Sequence, residues 1–212
     1  MLFHHYVLWA PLALVMALSP MSAQAEVLIS QIIPDDTLGT ESSVLIEEND
    51  RDLINGGAIR GNNLFHSFEE FNINTEQQVY FTNPDNIKTI LNRVTGDTIS
   101  DIDGLLGVDG PANLFLLNPN GIIFGPNAQL DIHGAFTAST ADALEFTDGN
   151  LFRAITPEGV TFLTMSVPLG VQFSRLPQAN IISTGTLESD GDLALLGNQL
   201  YLEGQLVSGG DL

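Results

Sequence analysis

The sequence predicts an all-β protein, a right-handed parallel β-helix with an amino-terminal cap. Two observations on the residues carry the coiled architecture. Residues Asn113 to Thr140 break into short apolar runs at Leu114 to Leu117, Ile122 to Phe124, Ala128 to Ile132 and Ala135 to Ala138, with turn residues between them at nearly even intervals. Such runs are too short for helical periodicity and read as strands. Glycines at 185, 191, 197, 204 and 209 then space further apolar pieces by 6, 6, 7 and 5 residues. That rhythm of strand and corner suits a coil stacked on its own copies.

In chain order, Tyr6 to Leu18 is an apolar stretch of 13 residues followed by Ala23, Gln24 and Ala25. It reads as a secretory signal peptide over residues 1–25, cleaved after Ala25, because a bilayer span needs ~20 apolar residues. The remaining residues 26–212 form one domain, led by a polar, turn-rich stretch from Val27 to Arg60 that would cap an exposed end. The aromatic positions Phe65, Phe68 and Phe71 do not by spacing decide between strand and helical turn. Ile87 to Val94 is equally open as a short helix or strand.

Asn118, Pro119, Asn120 and Gly121 fit a type I turn, with Asn first, Pro second and Gly fourth. The rival reading makes Asn120 and Gly121 the centre of a type I′ hairpin in an antiparallel sandwich. Pro119 favours the corner. The chain ends at Asp211 and Leu212 in mid-rhythm, which predicts that it is the start of a longer repetitive protein.

The 212 residues carry 26 acidic and six basic side chains, a formal net charge of −20. Nucleic acid and anionic membrane surfaces would repel such a surface. There is no cysteine, so an exported fold must be held by its core, without disulfides. Past the leader only His66 and His133 remain, which leaves no multi-histidine zinc site and no thiol chemistry. The pairs Asp101 with Asp103 and Asp190 with Asp192 lack the further spacing of a calcium loop, so neither metal nor cofactor is expected. Glu47 with Glu48, and Glu69 with Glu70, are adjacent and would face apart, unlike carboxylates flanking a glycosidic bond.

Several segments together resemble the amino-terminal secretion domain of filamentous haemagglutinin-like exoproteins, the passengers of two-partner secretion, in their cyanobacterial form. They are Asn118 to Ile122, Gly61 to Ile73 (GNNLFHSFEEFNI), Ile90 to Gly96 (ILNRVTG), Ile102 to Leu105 (IDGL) and Gly134 to Asp142 (GAFTASTAD). The resemblance runs from about Ile29 to Leu212 and implies a right-handed parallel β-helix with an end cap and extra-helical strands, which agrees with the β-helix reading. It implies that Asn118, Pro119, Asn120, Gly121 and Ile122 form a secretion or transporter-recognition motif. A second family motif, Asn-Pro-Asn-Leu, stands here as Asn83, Pro84, Asp85 and Asn86, degenerate at its last two positions while still suited to a corner.

The resemblance further implies delivery by the Sec machinery to the periplasm of a Gram-negative bacterium. There the POTRA domains of a dedicated outer-membrane β-barrel would recognise the domain, which folds outside and ends secreted or at the cell surface. The alternatives are an adhesin module that binds surface glycans and, by analogy of fold alone, a polysaccharide-processing enzyme.

Overall fold

The computed structural model describes residues 32–48, 50–173 and 179–210. The leader expected over residues 1–25, with Ala23 and Ala25, lies outside them, as do Asp211 and Leu212.

Four strands make an amino-terminal cap and first turn: β1 (Ile32–Pro34), β2 (Ser43–Glu47), β3 (Asp52–Gly56) and β4 (Ala58–Arg60). The next three coils run β5 (Asn63–Phe71) to β6 (Gln78–Thr82), β7 (Thr89–Val94) through β8 (Ser100–Ile102) to β9 (Leu105–Asp109), and β10 (Asn113–Leu117) through β11 (Ile122–Phe124) to β12 (Gln129–Asp131). A fourth coil begins with β13 (Phe136–Ser139). It departs into an extra-helical antiparallel sheet of β14 (Ala143–Phe146), β15 (Leu151–Arg153) and β16 (Pro168–Gln172), and resumes with β17 (Ile181–Ser183) and β18 (Thr186–Ser189). The last coil is β19 (Leu193–Leu196), β20 (Leu200–Leu202) and β21 (Gln205–Ser208).

Pairing between successive coils is parallel on every face. On the first, β5, β7, β10, β13 and β19 lie side by side; on the second, β8, β11, β17 and β20. On the third, β3, β6, β9 and β12 do the same, and β18 pairs with β21. The cap differs because it must end a stack: β1 and β4 pair antiparallel to β5, and β2 antiparallel to β3. β2 thus covers the strand edge that a bare first coil would expose.

Because strand side chains alternate, each face has an inward row and an outward row. Leu64, Ile90, Leu114, Phe136 and Leu193 stack in register inside the coil. They join Phe68, Phe71, Phe81, Ile102, Phe124 and Ile181 in one continuous core. A second core lies outside the first face, where Phe65, Leu91 and Leu117 meet Leu144, Phe146 and Phe152 of the extra-helical sheet. Both β5 and β7, open between helix and strand on spacing, are strands. Within β5, Phe65 faces the outer core while Phe68 and Phe71 face inward.

The glycines predicted to mark corners all do so. A Cβ at Gly185, Gly191, Gly204 or Gly209 would come within 3 Å of backbone atoms of the neighbouring coil. Glycine is required there because the coils approach too closely for any side chain.

Candidate functional site

The corner from Asn118 to Ile122 joins β10 to β11, and the two strands do not pair with each other. The Gly121 N–H donates to Asn118 O at 3.2 Å, closing the expected four-residue turn. The alternative hairpin at Asn120 and Gly121 is therefore excluded, since β10 and β11 each bond to strands of other coils.

Asn118 is fully buried and its carboxamide is spent within the fold. Nδ2 donates to Thr98 O at 3.0 Å and to Ser100 Oγ at 2.9 Å in the coil before. Oδ1 accepts from the Asn120 backbone N–H at 2.9 Å and from Asn120 Nδ2 at 3.2 Å. Asn120 Nδ2 also donates to Gly96 O at 2.7 Å, again one coil back. Two asparagine side chains thus bind the corner to the preceding coil, where a residue without both donor and acceptor would leave buried backbone groups unpaired. Ile122 points into the core, and Gly121 takes a left-handed backbone with φ 126°.

The same corner holds the coil after it. Coil four has no corner of its own between β13 and β17, because the extra-helical segment leaves there and returns. Asn118 N–H donates to Ser139 O at 2.9 Å, and Ile122 N–H to Asn180 O at 3.3 Å. Thr140 Oγ1 donates to Ala179 O at 2.9 Å, closing the mouth of the insertion. The pentad is therefore the template for the one interrupted coil.

Pro119 and Asn120 are the half-buried members, and they line a cleft of about 280 Å³ with Thr95, Asp97, Ile155 and Thr156. Thr156 has φ 49°, a strained conformation for a β-branched residue.

Asn83, Pro84, Asp85 and Asn86 form a different corner, between β6 and β7. Ile87 N–H donates to Pro84 O at 3.1 Å, and Asn86 sits in the left-handed region at φ 74°. The two motifs occupy separate corners of the coil and make no shared site.

Arg93 is a structural side chain that spacing and composition did not single out. It is buried in the outer row of β7, with Nε donating to Ser67 Oγ at 2.9 Å, Nη2 to Thr37 Oγ1 at 2.9 Å and Nη1 to Arg153 O at 2.8 Å. Burial lowers its pKa to about 10, still charged at neutral pH. Burial would raise the nearby Asp35, but hydrogen bonds from Thr95, Thr37 and Ser67 outweigh it and hold the carboxyl below its usual range. Cap, coil and extra-helical sheet meet at this one guanidinium. The signal available in the sequence was a lone arginine in an otherwise uncharged strand, TILNRV.

His66 is fully buried inside the first coil against Phe68 and Phe81, with Nδ1 2.9 Å from Ser43 Oγ of the cap. Burial pushes its pKa down to about 3, so it is neutral. His133 sits exposed at a corner, 2.7 Å from Asp190, whose carboxylate raises its pKa. Among the described residues no group of three or more acidic or histidine side chains converges as a metal site.

A family model described as the TPS secretion domain matches residues 30–211. The chain belongs to the TPS secretion domain family. This TPS domain is 27% identical over 147 residues to a heme/hemopexin-binding protein of Haemophilus influenzae strain Rd, covering 67% of this chain and 14% of the relative. A second heme/hemopexin-binding protein of Haemophilus influenzae is 27% identical over 101 residues, 44% of this chain and 11% of that one. The chain thus spans about one seventh or less of these relatives. The crystal structure of the HMW1 secretion domain from Haemophilus influenzae superposes with a TM-score of 0.53 at 24% identity, over 79% of this chain and 40% of that one. That likeness concerns the fold. The family is one of secretion domains of exoproteins, which leave through an outer-membrane transporter, and not a family of enzymes.

Proposed function

We propose that this TPS domain carries its exoprotein out of the cell by folding on the far side of the outer membrane, and that Asn118 to Ile122 act by making that folding possible. The supporting observation is the saturation of Asn118: its carboxamide bonds the preceding coil and its own corner, its backbone N–H bonds Ser139 O of the following coil, and no side-chain donor is left for a partner in the folded state. A leader over residues 1–25 directs the chain to the Sec machinery. POTRA domains of the outer-membrane barrel then take the unfolded domain from the periplasm. A native stability of about 5 to 15 kcal/mol suffices to bias threading outward once the emerging part cannot slip back. Parallel strands that pair coil on coil are non-local contacts and fold slowly, which leaves time for capture.

Co-expression of the chain with its cognate barrel is expected to place it in the medium. In a series of pentad variants, export should track the stability of each purified domain. A variant of unchanged stability that is not exported would instead make the pentad a contact for the transporter.

A second reading, an adhesin module for surface glycans, is favoured by one observation. A groove of about 260 Å³ at the corner of the second and third faces is lined by Gln78 and Gln129, neutral amides of the kind that hydrogen-bond sugars, beside Glu76, Leu105 and the Thr75 and Asn127 side chains that bond Asp103. Binding to a glycan panel without turnover would support it; release of product would make the domain an enzyme, and absence of binding would remove both.

A further inference from the structure

We propose that Asn120 is a site of spontaneous deamidation that the unfolded chain exposes and the folded corner closes. The side-chain chemistry follows from the Asn-Gly pair. The Gly121 backbone nitrogen, unhindered by any Cβ on its own residue, attacks Cγ of Asn120. A five-membered imide forms as the C–N bond to Nδ2 breaks and ammonia departs. Water then opens the imide at either carbonyl, leaving Asp or its β-linked isomer. The balance is amide plus water to acid plus ammonia, with no change of oxidation state and no co-reactant beyond solvent.

In the folded domain both reacting groups are held. The Gly121 N–H, which must lose its proton to attack, donates to Asn118 O at 3.2 Å. The departing nitrogen, Nδ2, donates to Gly96 O at 2.7 Å and to Asn118 Oδ1 at 3.2 Å. Gly121 itself is buried, with Ile99 Cγ2 and Asn180 O around the position a Cβ would occupy. Reaction from the native state therefore needs a local opening of the corner. In the unfolded chain none of these restraints exists.

The product is incompatible with the corner. A carboxylate at position 120 would face Gly96 O and Asn118 Oδ1, two acceptors, where the amide had supplied donors. The β-linked isomer adds a methylene to the backbone of a turn pinned on both sides. A chain that reacts before it folds loses the template for its interrupted coil. On the secretion reading, this sets a time limit on how long the passenger stays export-competent while unfolded; the modification itself stands on the geometry alone.

The sequence contains one other Asn-Gly pair, Asn55 with Gly56, which supplies an internal reference in the same molecule. The purified chain is held in native buffer and, at the same mildly alkaline pH, in denaturant, and peptide mass spectrometry follows both sites. Both pairs should react in denaturant. At Asn120 the native rate should fall by about tenfold or more, the factor that ~1.4 kcal/mol of opening free energy imposes. Similar native and denatured rates at Asn120 would overturn the proposal. The Asn120→Asp variant should have a lower thermal midpoint or fail to fold; an unchanged midpoint would overturn the incompatibility. If the unmodified chain is not exported at all, the secretion reading fails while the rate ratio still decides the modification.

Discussion

The guanidinium of Arg93 lies over the ring of Phe152, 4.4 Å from its centroid, joining a strand of the coil to a strand of the extra-helical sheet. The same group reaches Thr37 in the cap and Ser67 in the neighbouring coil. A buried cation so placed is held by hydrogen bonds to neutral oxygens and by the ring face. Removing it orphans several acceptors at once.

Arg93→Ala is therefore expected to destabilise the domain by about 2 to 5 kcal/mol, because each buried acceptor left unpaired costs about 1 to 3 kcal/mol. Arg93→Lys should recover only a minor part, because an ammonium cannot span three partners in a planar fork. Urea denaturation followed by far-ultraviolet circular dichroism measures both; a fully stable lysine variant would contradict the argument.

His66 makes acid a denaturant at mild pH. Its pKa is about 3 when folded against an ordinary 6.5, so between those values the unfolded chain binds a proton that the native chain does not. Stability is thus fully present above pH 6.5 and declines as pH falls, by at most about 1.4 kcal/mol per pH unit. His66→Gln should flatten this dependence between pH 6.5 and the carboxylate range, and denaturation midpoints taken across that window show the slope directly.

Asn118→Ala removes both Nδ2 donors and the Oδ1 acceptor, leaving Thr98 O and the Asn120 N–H unpaired in a part-buried corner. Each orphan costs about 1 to 3 kcal/mol, so a loss of about 2 to 4 kcal/mol is expected. The thermal midpoint of the purified variant measures the loss. Hydrogen exchange should show the extra protection lost at Ile122 and at Thr140, on either side of the insertion mouth.

Gly107 is flat because Tyr80 lies on it: a Cβ there would come 2.3 Å from Tyr80 Cε1. The Tyr80 hydroxyl donates to Asp131 at 2.8 Å, and burial first, then Asp131, push its pKa up to about 12. Gly107→Ala should evict the ring and return the phenol toward its ordinary range near 10. Ultraviolet titration of tyrosinate, with Tyr80→Phe to assign the signal, reads that shift; an unmoved Tyr80 titration would rule out the stacking account.

Much of the coil was legible because β-helix corners impose local demands. Glycines 185 to 209, Pro119 at the second turn position and the alternating runs of β10, β11 and β13 all follow from backbone sterics and period-two burial, which neighbours in sequence reveal. The length of β5 was not legible, since phenylalanines three apart fit two periods; only the outer core, which takes Phe65, settles why Phe68 and Phe71 face the other way. His66 packs against Phe68 and Phe81 and not against its sequence neighbour Phe65, because alternation sends Phe65 out of the coil.

By itself, then, the sequence determined the corners, the parallel coils and the family, because these rest on local turn chemistry repeated along the chain. The tertiary structure alone decided that Arg93 unites cap, coil and extra-helical sheet, that the two Asn-Pro motifs lie at separate corners, and that Asn118 bridges its coil to both neighbours. Those relations join residues 18 to 65 positions apart, and no local propensity encodes which outward side chains a later insertion will cover.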